Sequence, residues 1–578
     1  MRSPLLLTGR VLLLLAGLNL AADFPMARAA EATTPASEPF LVTIRVDATK
    51  PIGELKPIWR FFGGDEPNYA TMKDGRKLIG ELGELAPQSV YFRTHNLLNT
   101  GDGTPALKWG STDAYTEDAQ GRPIYNWTII DRIFDTYIQR GVRPYAQIGF
   151  MPKALSTRPE PYQHEWRPGQ NYNLISAGWA YPPKDHEKWG ELAYQWVKHS
   201  IEKYGRAEVE KWYWETWNEA DGASYWHGSA QDFYKLHDYA VAGVRRALPN
   251  ARVGGPDSAG GGSAFTRGFL NHSLHETNYV TGAIGTPIDF ISFHAKGAPS
   301  VFQGHVRMGI ANQLRAINNG FSVVASFPEL KNTPIVIGES DPDGCAACTA
   351  AVYPQNNYRN GVLYASYTAA SFGRKQAIAD RNGVNLEGAL TWAFEFEDQP
   401  IFAGFRALTS SGIDLPVLNV FRMMSKMSGK RVAVESTGEI PLNLILQAGV
   451  RENPDVMALA ALDTNKLAML VWHYHDDDVA GPEANVELAV TGLPTTAREP
   501  KLTHYRIDET HSNAFTAWQR MGSPTGPNLN QYRQLVAAGL LGQIEVTVPP
   551  TIAGGSATLK FALPRQGVSL LVLEWAGN

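Results

Sequence analysis

The chain is 578 residues long, with 44% hydrophobic, 19% charged and 11% aromatic residues and a formal net charge of −5. That length exceeds one ordinary core, but a large barrel can absorb about 250 residues or more, so two domains suffice. Charge lies below the roughly 25% usual in soluble domains and aromatics are abundant, which excludes disorder, coiled coil and collagen-like fibre. The acidic balance leaves no global basic field for nucleic-acid phosphates. The aromatic excess suits stacking on sugar rings and suits a large core equally well.

Residues 1–29 read as a cleavable export signal: Arg2 and Arg10 precede a short apolar run over 11–20, and Ala27-Arg28-Ala29 supplies a small-x-small cleavage pattern. The run is shorter than the roughly 20 apolar residues of a membrane span, and nothing later resembles one. The mature protein is therefore expected to be secreted or periplasmic and free of the membrane. A polar lead-in over 31–39 precedes an alternating segment at 40–47, which is expected to join a sheet formed later in the chain.

Short apolar segments then alternate with helical periodicity. The expected strands are 59–64, 89–95, 143–151, 210–219, 252–257, 288–295, 333–339 and 388–394. Helical patterns lie between them, among others at 185–204, 229–248, 312–319, 357–373 and 415–428. Such alternation implies βαβ units, and eight of them close a (β/α)₈ TIM barrel over 51–430. The stretches 96–127 and 152–183 are rich in Gly, Pro, Asn and Trp and follow strand ends, where barrels carry functional loops. Cys345 and Cys348 are the only cysteines. In an exported protein they are expected to form a local disulfide, since no second pair is present for zinc.

After about Gly429 the pattern changes to short alternating strands at 467–475, 484–490, 502–507, 543–549 and 567–575, without crossover helices. This predicts a β-sandwich over 431–578 appended to the barrel. His473 and His475 precede an acidic turn, but alternating strand residues there are expected to bind no metal.

Two strand ends carry acids. The fourth ends in Trp212-Tyr-Trp-Glu-Thr-Trp-Asn-Glu219 and the seventh in Pro334-Ile-Val-Ile-Gly-Glu339. Barrel chemistry sits at these C-terminal ends. Two carboxyl groups facing one ligand can cleave a glycosidic bond, one protonating the leaving oxygen while the other stabilises or attacks the anomeric carbon. The alternative is a pair of rim glutamates held in ion pairs. Asn218 beside the acid is suited to a sugar hydroxyl, as are Arg93 and His95 at the end of the second strand. Glu215 shares the parity of Glu219 and is expected to be a buried structural partner.

The ordered motifs Phe62-Gly-Gly64, Ile148-Gly-Phe-Met-Pro152, Trp214-Glu-Thr-Trp-Asn-Glu219, Asp289-Phe-Ile-Ser-Phe-His294 and Arg506-Ile-Asp-Glu-Thr-His-Ser-Asn513 resemble glycoside hydrolase family 39. That family of retaining (β/α)₈ hydrolases contains β-xylosidases and α-L-iduronidases. The resemblance implies Glu219 as general acid/base and Glu339 as nucleophile, His294 as a substrate-binding residue and Trp392 as a sugar-stacking aromatic. Ala220-Asp-Gly222 after the acid and Ser340-Asp-Pro342 after the nucleophile depart from the β-xylosidase pattern. Lys296, in Phe293-His-Ala-Lys-Gly-Ala298, matches the iduronidase branch, where it implies recognition of a sugar carboxylate; an ion pair with Asp341 or Asp343 is the other reading.

The expected function is thus a secreted, cofactor-independent retaining glycosidase, exo-acting and β-xylosidase-like, on an oligosaccharide or polysaccharide. Alternatives are a uronic-acid or arabinose glycosidase, an endo-acting exopolysaccharide hydrolase, and an inactive carbohydrate-binding protein.

Overall fold

The computed structural model describes residues 38–494, 500–546 and 550–576. The expected export signal lies outside them, as do residues 547–549 of the expected strand over 543–549. Strand β1 (Phe40–Glu54) enters the second sheet before the barrel begins.

Nine parallel strand segments then form a nearly closed barrel. They are β2 (Phe61–Gly64), β3 (Val90–Thr94), β4 (Val142–Ile148), β5 (Tyr213–Thr216), β6 (Arg252–Ser258), β7 (Phe290–His294), β8 (Ile335–Glu339), β9 (Leu386–Ala389) and β10 (Thr391–Trp392). Each pairs with its predecessor up to β9, and β10 pairs with β2. Only Leu390 separates β9 from β10, and its N–H still donates to Ile337 O at 2.9 Å.

Helices α1 (Lys73–Leu85), α2 (Thr128–Gln139), α3 (His186–Tyr204), α4 (Ala230–Ala247), α5 (Ala264–His275), α6 (Ile310–Ala325) and α7 (Val362–Asn382) cross between successive strands, and α8 (Pro416–Met424) follows β10. Their starts are written in the sequence. Asp185 caps α3 through the Lys188 N–H, and Ser229 with Asp232 forms a complete capping box on α4. Helices α1, α2 and α5 were not among the helical patterns named from periodicity, although each buries an apolar stripe.

Alternate strand residues point inward. At the lower end Phe61, Tyr91, Tyr145, Tyr213 and Phe290 interlock as stacked and edge-to-face rings 4.9–6.5 Å apart. Two residues further along the same strands stand Arg93, Gln147, Glu215 and Ser292, and the next inward positions include His95 and His294. The barrel thus changes from aromatic to charged along its axis, and the charged end is where the chain leaves the strands.

Besides three two-stranded hairpins, the remaining strands are β11 (Lys430–Ser436), β12 (Asp455–Asp463), β13 (Lys466–Tyr474), β14 (Ala484–Thr491), β15 (Lys501–Ile507), β16 (Gly542–Gln543), β17 (Ala557–Leu563) and β18 (Val568–Glu574). They form one separate, curled sheet in the order β16-β15-β18-β13-β12-β11-β1-β14-β17. β1 runs antiparallel to β11 and parallel to β14. Inward residues such as Ile44, Val456, Met469, Leu488 and Leu573 share one core. The opposite parity, including Leu470 and Trp472, packs into the barrel's own core.

The C-terminal region also contains helices, α9 (Leu442–Ala448), α10 (Ala514–Arg520) and α11 (Leu529–Gly539), each lying between antiparallel neighbours and not crossing over. Asn513 caps α10, and Asn528 with Gln531 closes a capping box on α11, local signals that the strand pattern around them obscured. No helix of the described residues is long and apolar enough to cross a membrane.

Candidate active site

Glu219 lies three residues past β5, on a tight bend. Trp217 and Glu219 have φ of 68° and 46°, a left-handed region that side-chain-bearing residues seldom adopt. Neighbouring strands hold the bend: the Trp217 N–H donates to Ile148 O at 3.1 Å and the Glu219 N–H to Asp257 O at 2.9 Å. Asp257, at the end of β6, is itself left-handed with φ 48°. Non-glycine strain of this kind persists where surrounding contacts over-determine it, and it concentrates at functional sites.

Glu339 ends β8, and one imidazole stands between the two glutamates. His294 approaches Glu219 Oε1 with Nδ1 at 2.6 Å, Asp257 Oδ2 with Nε2 at 2.9 Å, and Glu339 Oε1 with Nε2 at 3.8 Å. Burial alone would lower the His294 pKa, but Asp257, Glu339 and Glu219 together raise it to about 10. Both ring nitrogens therefore carry protons at neutral pH, and they are donated to Glu219 and Asp257. Burial opposes ionisation of Glu339 as well. The charges on His294 and Lys296, with a contribution from His95, outweigh that burial and hold its carboxyl well below the usual carboxylate range. The Glu219 side chain retains 22% of its surface and that of Glu339 only 7%.

The sequence-predicted residues converge here, not all in the expected roles. Arg93 is corrected: it has no surface to offer a sugar. Its Nε donates to Glu215 Oε2 at 2.5 Å, and its NH2 serves Asn218 Oδ1 at 3.1 Å and Asp257. It is a buried cation that ties the fourth and fifth barrel strands to the second. Glu215 is fully buried against Arg93 and the Tyr145 hydroxyl, which donates at 2.7 Å. The Oδ1 of Asn218 is thus fixed, while its Nδ2 is buried without a protein partner.

Trp392 is also corrected, because its ring has no open face. Arg93 lies 5.2 Å from the ring centroid, the His95 ring 4.3 Å away, and Gly63 packs so closely that an added Cβ would come within 2.5 Å of the ring. Its Nε1 donates to Asp65 Oδ1 at 2.9 Å. His95 does reach the site, with Nε2 3.6 Å from Glu339 Oε1.

Lys296 sits on Glu339 in a very short contact and on Asp341 Oδ2 at 3.1 Å. Asp343 does not take part. It is committed to Arg359 at 2.6 Å and Arg406 at 2.7 Å, which hold its carboxyl below the usual range despite burial. Arg359 also donates to the carbonyls of Cys345 and Cys348, both at 2.7 Å. Those two cysteines are joined as a disulfide. The loop after β8, the strand that ends in Glu339, is thereby cross-linked.

The long loops after β3 and β4 are fastened to one another and across the mouth. The Thr100 N–H donates to the Tyr162 hydroxyl at 2.9 Å, and His164 Nε2 lies 3.0 Å from Lys108 O. The Gly169 N–H donates to the Tyr353 hydroxyl at 3.3 Å, joining the loop after β4 to the one after β8. These two strands are four apart in the barrel, so the contact passes over the opening.

Asp257, Asp65 and Lys108 escaped the sequence reading. Asp257 ended an expected strand, a signal that was available. The other two needed the loop conformation. Among the described residues, no group of His, Cys, Asp and Glu is placed to hold a metal ion. His473 Nδ1 faces Leu563 O at 2.9 Å and His475 Nε2 faces Arg451 O at 2.7 Å.

The model of glycosyl hydrolases family 39 matches residues 42–556. A β-xylosidase of Geobacillus stearothermophilus is 25% identical over 506 residues, covering 84% of this chain and 86% of the relative. Human α-L-iduronidase is 25% identical over 576 residues, covering 93% of this chain and 78% of the relative. A crystal structure of the GH39 enzyme from Xanthomonas axonopodis pv. citri shares the fold with a TM-score of 0.69 at 20% identity, covering 94% of this chain and 99% of that one.

Proposed function

This chain belongs to glycosyl hydrolases family 39, and as a glycoside hydrolase of that family we propose that it releases single sugars with retained configuration, in the manner of a β-xylosidase. The observation that carries this reading is the shared imidazole of His294, which contacts a buried, strongly acidic carboxyl on one side and a partly open one on the other. Glu339, kept ionised, attacks the anomeric carbon as Glu219 protonates the departing oxygen, and a glycosyl ester forms on Glu339. His294 holds a proton on its bond to Glu219, so this pair carries the proton that the leaving group takes. Glu219 then accepts a proton from the water that cleaves the ester.

Exo action is supported by the loop contacts over the mouth, which favour a pocket over an open cleft. A neutral glycone is supported by Lys296, whose charge already serves Glu339 and Asp341; a uronate would add a third anion to one ammonium. Proton NMR of the first sugar released is the test, together with product analysis on an oligosaccharide ladder. The expected outcome is one monosaccharide per cleavage in the substrate's own anomeric form. An inverted anomer would sink the double displacement, and mixed oligosaccharide products would sink exo action.

The same reading takes β9 and β10 as one interrupted eighth strand of a (β/α)₈ barrel over 51–430, and the curled sheet as a sandwich-type domain over 431–578 joined by β1. Export is supported by the charge and cleavage pattern of residues 1–29.

A further inference from the structure

A second charged pair stands in the pocket with part of its bonding capacity unused. Asp65 directly follows β2 and is 4% exposed. Its Oδ1 accepts from Lys108 Nζ at 2.7 Å and from Trp392 Nε1 at 2.9 Å, whereas Oδ2 is buried with no protein partner. An unpaired buried carboxylate oxygen is costly, so it marks a place where a donor from outside the protein belongs.

Asp65 and Lys108 line one small cavity with His95, Tyr225, Phe150 and Trp179. Its volume is about 10 Å³, room for about one water molecule. His95 links that cavity to the chemistry, lying 3.6 Å from Glu339. Lys108 is held there against its backbone preference. Its φ is 58°, and paired 3.1 Å hydrogen bonds between Ala106 and Trp109 fix the turn that aims its side chain inward. Glu219 marks the more open side of the site, so the leaving group departs there and the Asp65 end faces the far edge of the sugar bound over Glu339.

We propose that Asp65 and Lys108 form the specificity-determining subsite of the pocket. Asp65 Oδ2 accepts a hydrogen bond from a hydroxyl remote from the anomeric carbon, and the Lys108 ammonium donates to the adjacent hydroxyl. The sugar released therefore carries a free vicinal diol at its non-reducing edge. The inference rests on the reading of Glu219 and Glu339 as the reacting pair. A site built to bond a hydroxyl rejects the analogue lacking it far more strongly than an apolar pocket rejects a missing methylene.

The test compares wild type, Asp65→Asn and Lys108→Met on an aryl glycoside and on its 3-deoxy and 4-deoxy analogues. The parent is whichever of the 4-nitrophenyl β-D-xyloside, the α-L-arabinoside and the 4-methylumbelliferyl α-L-iduronide the wild type turns over fastest. The expected result is a loss of about 100-fold in kcat/KM when wild type meets one deoxy analogue. Asp65→Asn should show a similar loss on the parent and less than about 5-fold further loss on that analogue. If wild type handles both deoxy analogues within about 5-fold of the parent, the subsite is overturned, whether or not the variants fold. An equal loss for Asp65→Asn on all three substrates would also overturn it, leaving Asp65 as an anchor for Lys108 beside a buried water. Turnover of no parent by wild type would instead remove the exo-glycosidase reading, and the subsite with it.

Discussion

Glu219 and Glu339 are separable by what each variant leaves behind. Glu219→Gln keeps the shape of the site and removes the proton, so kcat/KM should fall by about 10²–10⁴-fold on substrates with poor leaving groups. Much less should be lost on a dinitrophenyl glycoside, whose leaving oxygen needs no proton. Glu339→Ala should abolish turnover, and azide should restore part of it with such an activated substrate, giving a glycosyl azide of inverted configuration. Unchanged turnover in either variant removes the assigned role. His294 adds a prediction of sign. Its pKa is raised to about 10 in the fold, above the roughly 6.5 of a free histidine. Its stabilising contribution is therefore complete below about pH 6.5 and is lost as pH rises through about 10. The difference in Tm between wild type and His294→Gln should narrow over that interval; a difference that is constant or grows would show that His294 is not the proton carrier described. Strand-end position and motif made the two acids, His294, Asn218 and Lys296 legible as neighbours in one site, and the structure brings them together. Arg93 and Trp392 were legible as present in the site but not as buried within it, because burial depends on which side chains cover them.

At the scale of elements, strands and loops differ in what their sequences disclose. β2 to β8 each overlap an expected segment, since a buried parallel strand reads as a continuous apolar run. Ends shifted by a few residues, and the segment expected at 388–394 is divided at Leu390. The Gly- and Pro-rich loops gave no pattern beyond their length, so the contacts of Tyr162 with Thr100 and of Tyr353 with Gly169 could not be anticipated. The loop after β8 is testable by itself. Cys345 and Cys348 are three positions apart, and in the loop-closure model so small a ring contributes about 2 kcal/mol. The double variant Cys345→Ser/Cys348→Ser should lower stability in urea by about that amount while raising KM more than it lowers kcat. A KM unchanged alongside the stability loss would mean that the cross-link has no bearing on the substrate.

The whole molecule depends on the seam between barrel and curled sheet. Trp472 of β13 donates to Asp455 at 2.9 Å, and its ring lies where an added Cβ on Gly373 of α7 would fall, 2.6 Å away. Arg374 of α7 reaches the same Asp455 at 2.7 Å. The described residues form a single unit. Trp472→Ala should therefore cost about 3–5 kcal/mol and destabilise barrel and sheet together in one transition. Two separate transitions by calorimetry, with the barrel's left in place, would contradict this coupling.

By itself the sequence determined the α/β alternation and the family, and it placed two glutamates near strand ends, because these follow from periodicity and from residues close together in the chain. The tertiary structure alone decided that Arg93 is consumed by Glu215 and Asp257, that Lys296 is shared by Glu339 and Asp341, and that Lys108 meets Asp65. Each of these pairs joins residues more than 40 positions apart. Charge in a buried site is fixed by which partners close on it, and that depends on how strand ends and loops converge at one end of the barrel.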